Sequence, residues 1–91
     1  MMKITTDDVS PDHRVFRLEG RIGGSWIAEL KNLCEQALRN DRSLTLDLSG
    51  VTFVERGGAK LLRSLEKMQR VAVVGSTAFV AEQLDSEDEA F

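Results

Sequence analysis

The chain has 91 residues, 42% of them apolar and 30% charged, and its 12 basic and 15 acidic side chains leave a net charge of −3. That length holds one hydrophobic core, the apolar share is too high for a disordered segment, and the mixed, slightly acidic charge lacks the broad positive field on which nucleic-acid binders depend. The single cysteine, Cys34, excludes an internal disulfide, and no stretch approaches the roughly 20 apolar residues of a membrane span, so a cytoplasmic address with no direct membrane insertion is expected.

Residues 2–6 and 14–19 pattern as short strands, separated by Asp7-Asp8-Val9-Ser10-Pro11-Asp12-His13, whose Asp, Ser and Pro favour a turn. A hairpin is predicted, with Phe16 and Leu18 on one face and Val15, Arg17 and Glu19 on the other. After Gly20-Arg21-Ile22-Gly23-Gly24, Ser25 is placed to cap a helix whose apolar positions Ile27, Leu30, Leu33, Cys34, Ala37 and Leu38 recur at helical spacing. Arg39 and Asn40 suit the end of that helix, and Asp41-Arg42 turn the chain.

Leu44, Leu46 and Leu48 alternate with Thr45 and Asp47 in a strand predicted to be central in the sheet. A central strand that keeps a polar side argues for an α/β two-layer sandwich, a small mixed sheet with helices packed on one face only. Val51-Thr52-Phe53-Val54 leads through Glu55-Arg56-Gly57-Gly58 into a second helix. Its inward positions are Ala59, Leu61, Leu62, Leu65 and Met68, and its outward positions are Lys60, Arg63, Glu66, Lys67 and Arg70. Val71-Ala72-Val73-Val74 is expected as a buried strand, and Gly75-Ser76-Thr77 opens a third helix from Ala78 to Leu84. Residues 1–84 thus read as one domain, with residues 85–91 an acidic C-terminal tail that cannot contribute to a core.

Taken as strand, turn and helix, the run Asp47-Leu48-Ser49-Gly50-Val51-Thr52-Phe53-Val54-Glu55-Arg56-Gly57-Gly58-Ala59-Lys60-Leu61-Leu62 resembles the signature segment of STAS domains, the sulfate transporter and anti-sigma factor antagonist family. Leu18-Glu19-Gly20-Arg21-Ile22 is similar to the family's segment before helix one, and Val73-Val74-Gly75-Ser76-Thr77 through Leu84 resembles its last strand and helix. The resemblance implies a bacterial, non-catalytic module that binds a protein partner through Glu55, Arg56, Gly57, Gly58 and Lys60, with no cofactor. Two partner classes fit it. One is the kinase-like anti-sigma factor. The other is the ATPase of a phospholipid-transport ABC system, whose small cytoplasmic STAS subunit also reads with two glycines at this turn. A domain holding a nucleotide or another small ligand near the same turn is a further alternative.

The departures from the family pattern carry information. In regulatory members the turn holds a Ser or Thr that a kinase phosphorylates, and its equivalent here is Arg56, so no phosphorylation is expected at the family position. Glu55 replaces the family's Asp before that residue, and Gly23 replaces an Asp that often follows the earlier Gly-Glu-Leu. Gly57-Gly58 reads either as tight-turn glycines needing positive φ or as exposed amides for an anion. Trp26 is expected to cover the edge of the core, and His13 has no companions at metal-ligand spacing, so no metal site is predicted. Ser25, His13 and Asp47 lack the spacing of a catalytic triad, and no nucleophile elbow is present, which argues against an enzyme.

Overall fold

A computed structural model describes residues 2–39, 42–78, 80–82 and 84. The elements are β1 (Met2–Ser10), β2 (His13–Ile22), α1 (Trp26–Ala37), β3 (Ser43–Val54), α2 (Arg56–Glu66) and β4 (Val71–Val74). Residues 78, 80, 81, 82 and 84 are helical, where the third helix was predicted, and Thr77 Oγ1 accepts from the Val80 amide at its start. The proposed tail lies outside the described residues.

The strands form one sheet in the order β1-β2-β3-β4, with β1 antiparallel to β2 and the other two pairs parallel. Each parallel pair needs a crossover, and α1 and α2 supply the two. Phe16, Leu46 and Val73 stand side by side across β2, β3 and β4. Leu18 and Leu48 lie one pleat further along, and both are buried. These side chains meet Leu30, Leu62, Leu65 and the half-buried Leu33, so the core sits between one face of the sheet and the helices, as the alternation predicts. The opposite face, with Lys3, Thr5, Arg17, Ala72 and Val74, stays exposed.

Several expectations are corrected. Both strands of the hairpin run further than predicted, and the turn contracts to Pro11 and Asp12, because Arg14 donates to the Asp8 carboxylate at 2.7 Å and a bulge between Asp8 and Ser10 absorbs the mismatch. That hydrogen bond holds the Asp8 carboxyl below its ordinary value. Of the β4 residues only Val71 is buried, since β4 is an edge strand and its alternate side chains point to the open face. Met68 is 42% exposed because α2 ends at Glu66 and the chain has already turned toward β4. Ser25 occupies the N-cap position of α1 in helical conformation without a side-chain hydrogen bond. The Trp26 and Ile27 amides reach the carbonyls of Gly23 and Gly24 instead. Trp26 leaves 36% of its surface exposed.

Helix α1 stops at Ala37 with no basic residue in its last turn, so Arg39 does not serve as its dipole partner; Asn40 and Asp41 lie outside the described residues. Arg70, expected on the outward face of α2, lies beyond that helix. It donates from Nη1 to the Leu38 and Arg42 carbonyls, each at 3.2 Å, and so ties the end of α1 to the start of β4. Cys34 is fully buried, and burial, with a smaller push from Glu35, raises its thiol pKa to about 12. A thiol-directed alkylating reagent at pH 8 is therefore expected to leave Cys34 unmodified in the native protein and to label it once denaturant is added; rapid native labelling would show that the α1 face opens.

Candidate functional site

The end of β3 and the start of α2 converge on the loop that leaves β2. Val54 ends its strand in register with Ile22, and the Glu55 amide donates to the Ile22 carbonyl at 2.8 Å, so the two chain segments leave the sheet together. Irregularities in the β2–β3 register, between Arg17 and Glu19 and between Gly20 and Arg21, bring Arg21 opposite Phe53. The Arg21 guanidinium lies 4.6 Å from the centroid of the Phe53 ring, and its Nε sits 3.3 Å from Glu55 Oε2. Both partners of the ion pair are substantially exposed, so it contributes at most about 1 kcal/mol and serves chiefly to orient Glu55.

Glu55 is the N-cap residue of α2, in extended conformation, yet its carboxylate makes no capping hydrogen bond. It turns back across the loop instead, and a Cβ placed on Gly23 would overlap the Glu55 carboxyl group. The two sequence departures at Gly23 and Glu55 therefore meet in space: the longer acid occupies the volume that a side chain at position 23 would need. Neither is readable alone, and the contact was not expected from the sequence.

Gly57 and Gly58 are the second and third residues of α2 and have no positive φ; among the described glycines that conformation belongs to Gly20, Gly24 and Gly75. The tight-turn reading of the pair is thus replaced by one of close approach. Gly58 is buried, and a Cβ there would stand 2.9 Å from Ile22 Cγ2, 3.2 Å from Val54 Cγ1 and 3.3 Å from the Ile22 carbonyl oxygen. A Cβ on the exposed Gly57 would meet only Ile27 Cδ1, at 3.1 Å. Gly58→Ala is expected to cost about 1–2 kcal/mol, the overpacking strain exceeding the gain in helix propensity, whereas Gly57→Ala should be neutral or stabilise by up to about 1 kcal/mol. Paired thermal melts check this, and equal destabilisation by both changes would refute the close-approach account.

Arg56, the first residue of α2, is exposed, and so is Lys60 one turn later. A cation in the first turn opposes the helix dipole by about 0.3–1 kcal/mol, and the acidic Glu55 stands just before it at the N-cap. The five residues Glu55, Arg56, Gly57, Gly58 and Lys60 are brought together at one end of the domain, with Gly58 forming the floor rather than the surface.

The remaining signature residues are structural. Asp47 Oδ1 accepts from the Ser49 amide at 3.0 Å, and a Cβ on Gly75, whose φ is +74°, would stand 2.6 Å from that oxygen. The Ser49 hydrogen bonds, aided by Arg17, hold the Asp47 carboxyl below its ordinary value. Its contribution to stability is present above the ordinary carboxylate range and is lost as pH falls through the lowered value. His13 hydrogen-bonds Thr45 Oγ1 at 2.8 Å, and it pairs with Ser43, four residues along β3 from Asp47. Among the described residues no three His, Cys, Asp or Glu side chains cluster as a metal site, and no helix is long and apolar enough to cross a membrane.

Several solved structures share this fold, among them three antagonists of anti-sigma factors. The anti-sigma factor antagonist SpoIIAA in its unphosphorylated form superposes with a TM-score of 0.75 at 14% identity, covering 94% of this chain and 81% of that one. An anti-sigma factor antagonist from Mycobacterium paratuberculosis gives 0.69 at 21% identity over 100% of this chain and 83% of its own. A STAS-domain antisigma-factor antagonist from Rhodobacter sphaeroides gives 0.61 at 20% identity, with coverages of 81% and 86%. At these identities the likeness is one of fold. No curated protein matches the chain. Residues 5–86 match the family model described as "Mlab, STAS domain", nearly the whole length, and the chain belongs to this STAS family.

Proposed function

We propose that the chain is a non-catalytic, cytoplasmic protein-binding module whose contact surface is the β3–α2 junction: Glu55, Arg56, Gly57 and Lys60, set on the buried Gly58. The observation that supports it most is Arg56. It stands exposed at the first position of α2, against the helix dipole, at the place where the family resemblance puts a phosphorylatable hydroxyl. An exposed arginine there offers a planar, directional hydrogen-bonding cation on the surface that a partner can reach. With Val54-Glu55-Arg56-Gly57-Gly58-Ala59 lacking Ser, Thr and Tyr, the module presents a permanent positive charge in place of a switchable negative one.

The partner in the first reading is a kinase-like anti-sigma factor, in keeping with the antagonists whose fold the chain shares. A second reading is favoured by the family match over residues 5–86 and by the paired glycines. In it the chain is the small STAS subunit of a phospholipid-transport ABC system, and the partner is its ATPase. Affinity capture from the host, with the native chain and an Arg56→Glu/Lys60→Glu chain as parallel baits, tests both. A kinase-type regulator or a transporter ATPase retained only by the native bait decides between them. The same proteins on both baits would remove the junction as the contact surface.

A further inference from the structure

We infer that the chain pairs with a second copy of itself through β1, edge to edge and antiparallel, with Thr5 on the two-fold axis and Lys3 of each copy opposite the partner's Asp7. This surface is separate from the β3–α2 junction, since β2 lies between β1 and β3 in the sheet. β1 has a strand on one side only, so along its outer side the backbone N–H and C=O groups of a nine-residue strand have no strand partner among the described residues. Such an edge is a template for another strand, and sheets ordinarily blunt it by shortness, proline, inward-pointing charge or a bulge. The other edge, β4, is only four residues long. β1 is long and has no proline, and its bulge comes late, between Asp8 and Ser10. Its one inward charge, Asp8, is answered by Arg14.

From Thr5 onward every residue of β1 is exposed. That includes Thr6 and Asp8, which share the helix-bearing face with Ile4, so the helix layer stops short of this edge and leaves room for a neighbour. Thr5 and Thr6, at the middle of the strand, are β-branched and favour extended pairing.

Symmetry and charge together select the register. Two antiparallel edge strands are related by an axis perpendicular to the sheet, which keeps the helices of both copies on one side, so residues opposite one another must point to the same face. Lys3, Thr5 and Asp7 point to the open face, beside Glu19, Arg17 and Val15 of β2, while Ile4 and Thr6 point to the helix face, beside Leu18 and Phe16. An axis at Asp7 would set that carboxylate against its own copy, and an axis at Thr6 would leave Lys3 beside Val9 and Asp7 beside Thr5. An axis at Ile4 would set Lys3 against Thr5 and leave Asp7 beyond the paired strand. Only the axis at Thr5 brings Lys3 opposite the partner's Asp7, once on either side of the centre, and opposite charges in directly opposed positions stabilise strand pairing. Each Lys3 then stands between its own Glu19 and the partner's Asp7. On the helix face the two half-buried Ile4 side chains become diagonal neighbours about 7–8 Å apart across the seam. The two four-stranded sheets join into one of eight. Because β1 begins at the end of the sheet where β3 meets α2, the two junctions point to opposite ends of the dimer.

Sedimentation velocity of the full chain over a concentration series tests this, with a shift from monomer to dimer expected as concentration rises. Asp7→Lys, which sets lysine against lysine at both ends of the seam, should weaken the dimer about tenfold at low salt, and the swap Lys3→Asp/Asp7→Lys should restore it. Thermal melts of the variants, run at dilutions where the native chain is monomeric, should match the native one, since both positions are exposed. Thr5→Cys should form a disulfide between copies when the native protein is treated with diamide, and Thr6→Cys should not; the buried Cys34 takes no part. A chain that stays monomeric at every soluble concentration would overturn the inference. So would a dimer indifferent to Asp7→Lys, a dimer that Thr5→Cys does not link, or a Thr5→Cys chain that links in its host only to a different protein.

Discussion

Replacing Leu46 with alanine is expected to destabilise the fold by about 2–5 kcal/mol, a large share of the roughly 5–15 kcal/mol that holds a small domain together. Leu46 has no exposed surface, lies on the strand between β2 and β4, and stands between Phe16 and Val73 in the register. Truncation there removes methyl groups from the middle of the layer, where rigid sheet neighbours on both sides limit collapse into the cavity. For a domain of this size each kcal/mol corresponds to about 4–8 °C in Tm, so a calorimetric melt resolves the effect easily. Val74→Ala, on the open face of edge strand β4, should cost less than about 1 kcal/mol. Similar losses for the two changes would mean that both faces of the sheet are covered, against the two-layer arrangement.

Arg56→Glu is expected to weaken binding far more than it changes stability. At the first position of α2 a carboxylate interacts favourably with the helix dipole, which offsets the loss of the arginine's own contacts, so the variant should melt within about 1 kcal/mol of the native chain. Against a partner adapted to a fixed positive charge, the same change brings like charges together and should weaken binding by about 2–5 kcal/mol where the contact excludes water. Arg56→Ser should lose less, since it removes attraction without adding repulsion. Calorimetric titration of the captured partner against the three chains, with melts alongside, reads both quantities. A variant that loses stability and affinity together would assign Arg56 a structural role and remove it from the contact.

The periodicities made the core legible. Phe16 with Leu18, and Leu44 with Leu46 and Leu48, alternate strictly because a strand has period two, and all five are buried. Leu30, Leu62 and Leu65 followed from helical spacing in the same way. Where expectation failed, the deciding quantity was not local. Met68 continues the helical pattern, but periodicity does not reveal that α2 ends at Glu66. Val71 to Val74 is an apolar run without alternation, and its exposure depends on β4 lying at the sheet edge, which is a fact of strand order.

The candidate site was half legible. Its residues were marked by their departure from a familiar turn, but their arrangement depends on contacts across the fold. Glu55 reaches Arg21 and the space beside Gly23, and Gly58 is required by Ile22 and Val54 rather than by its own φ. Glycine in sequence signals either a backbone angle or a close neighbour, and only the packing of the β2 loop on α2 distinguishes the two. Arg21 and Phe53, which orient Glu55, lay in separate family-like segments that nothing in the sequence joined; their link is the register of two parallel strands with irregular pairing.

The most direct measurement of the central claim is amide hydrogen exchange of the chain alone and in complex with its captured partner. The account predicts added protection in Glu55 to Lys60 and the turns of α2 that follow, and in the adjoining loop around Gly23 and Gly24. It predicts no change along β1 or the open-face residues of β4. Protection confined to the open sheet face around Val15, Thr45, Ala72 and Val74, with the β3–α2 junction unchanged, would contradict it.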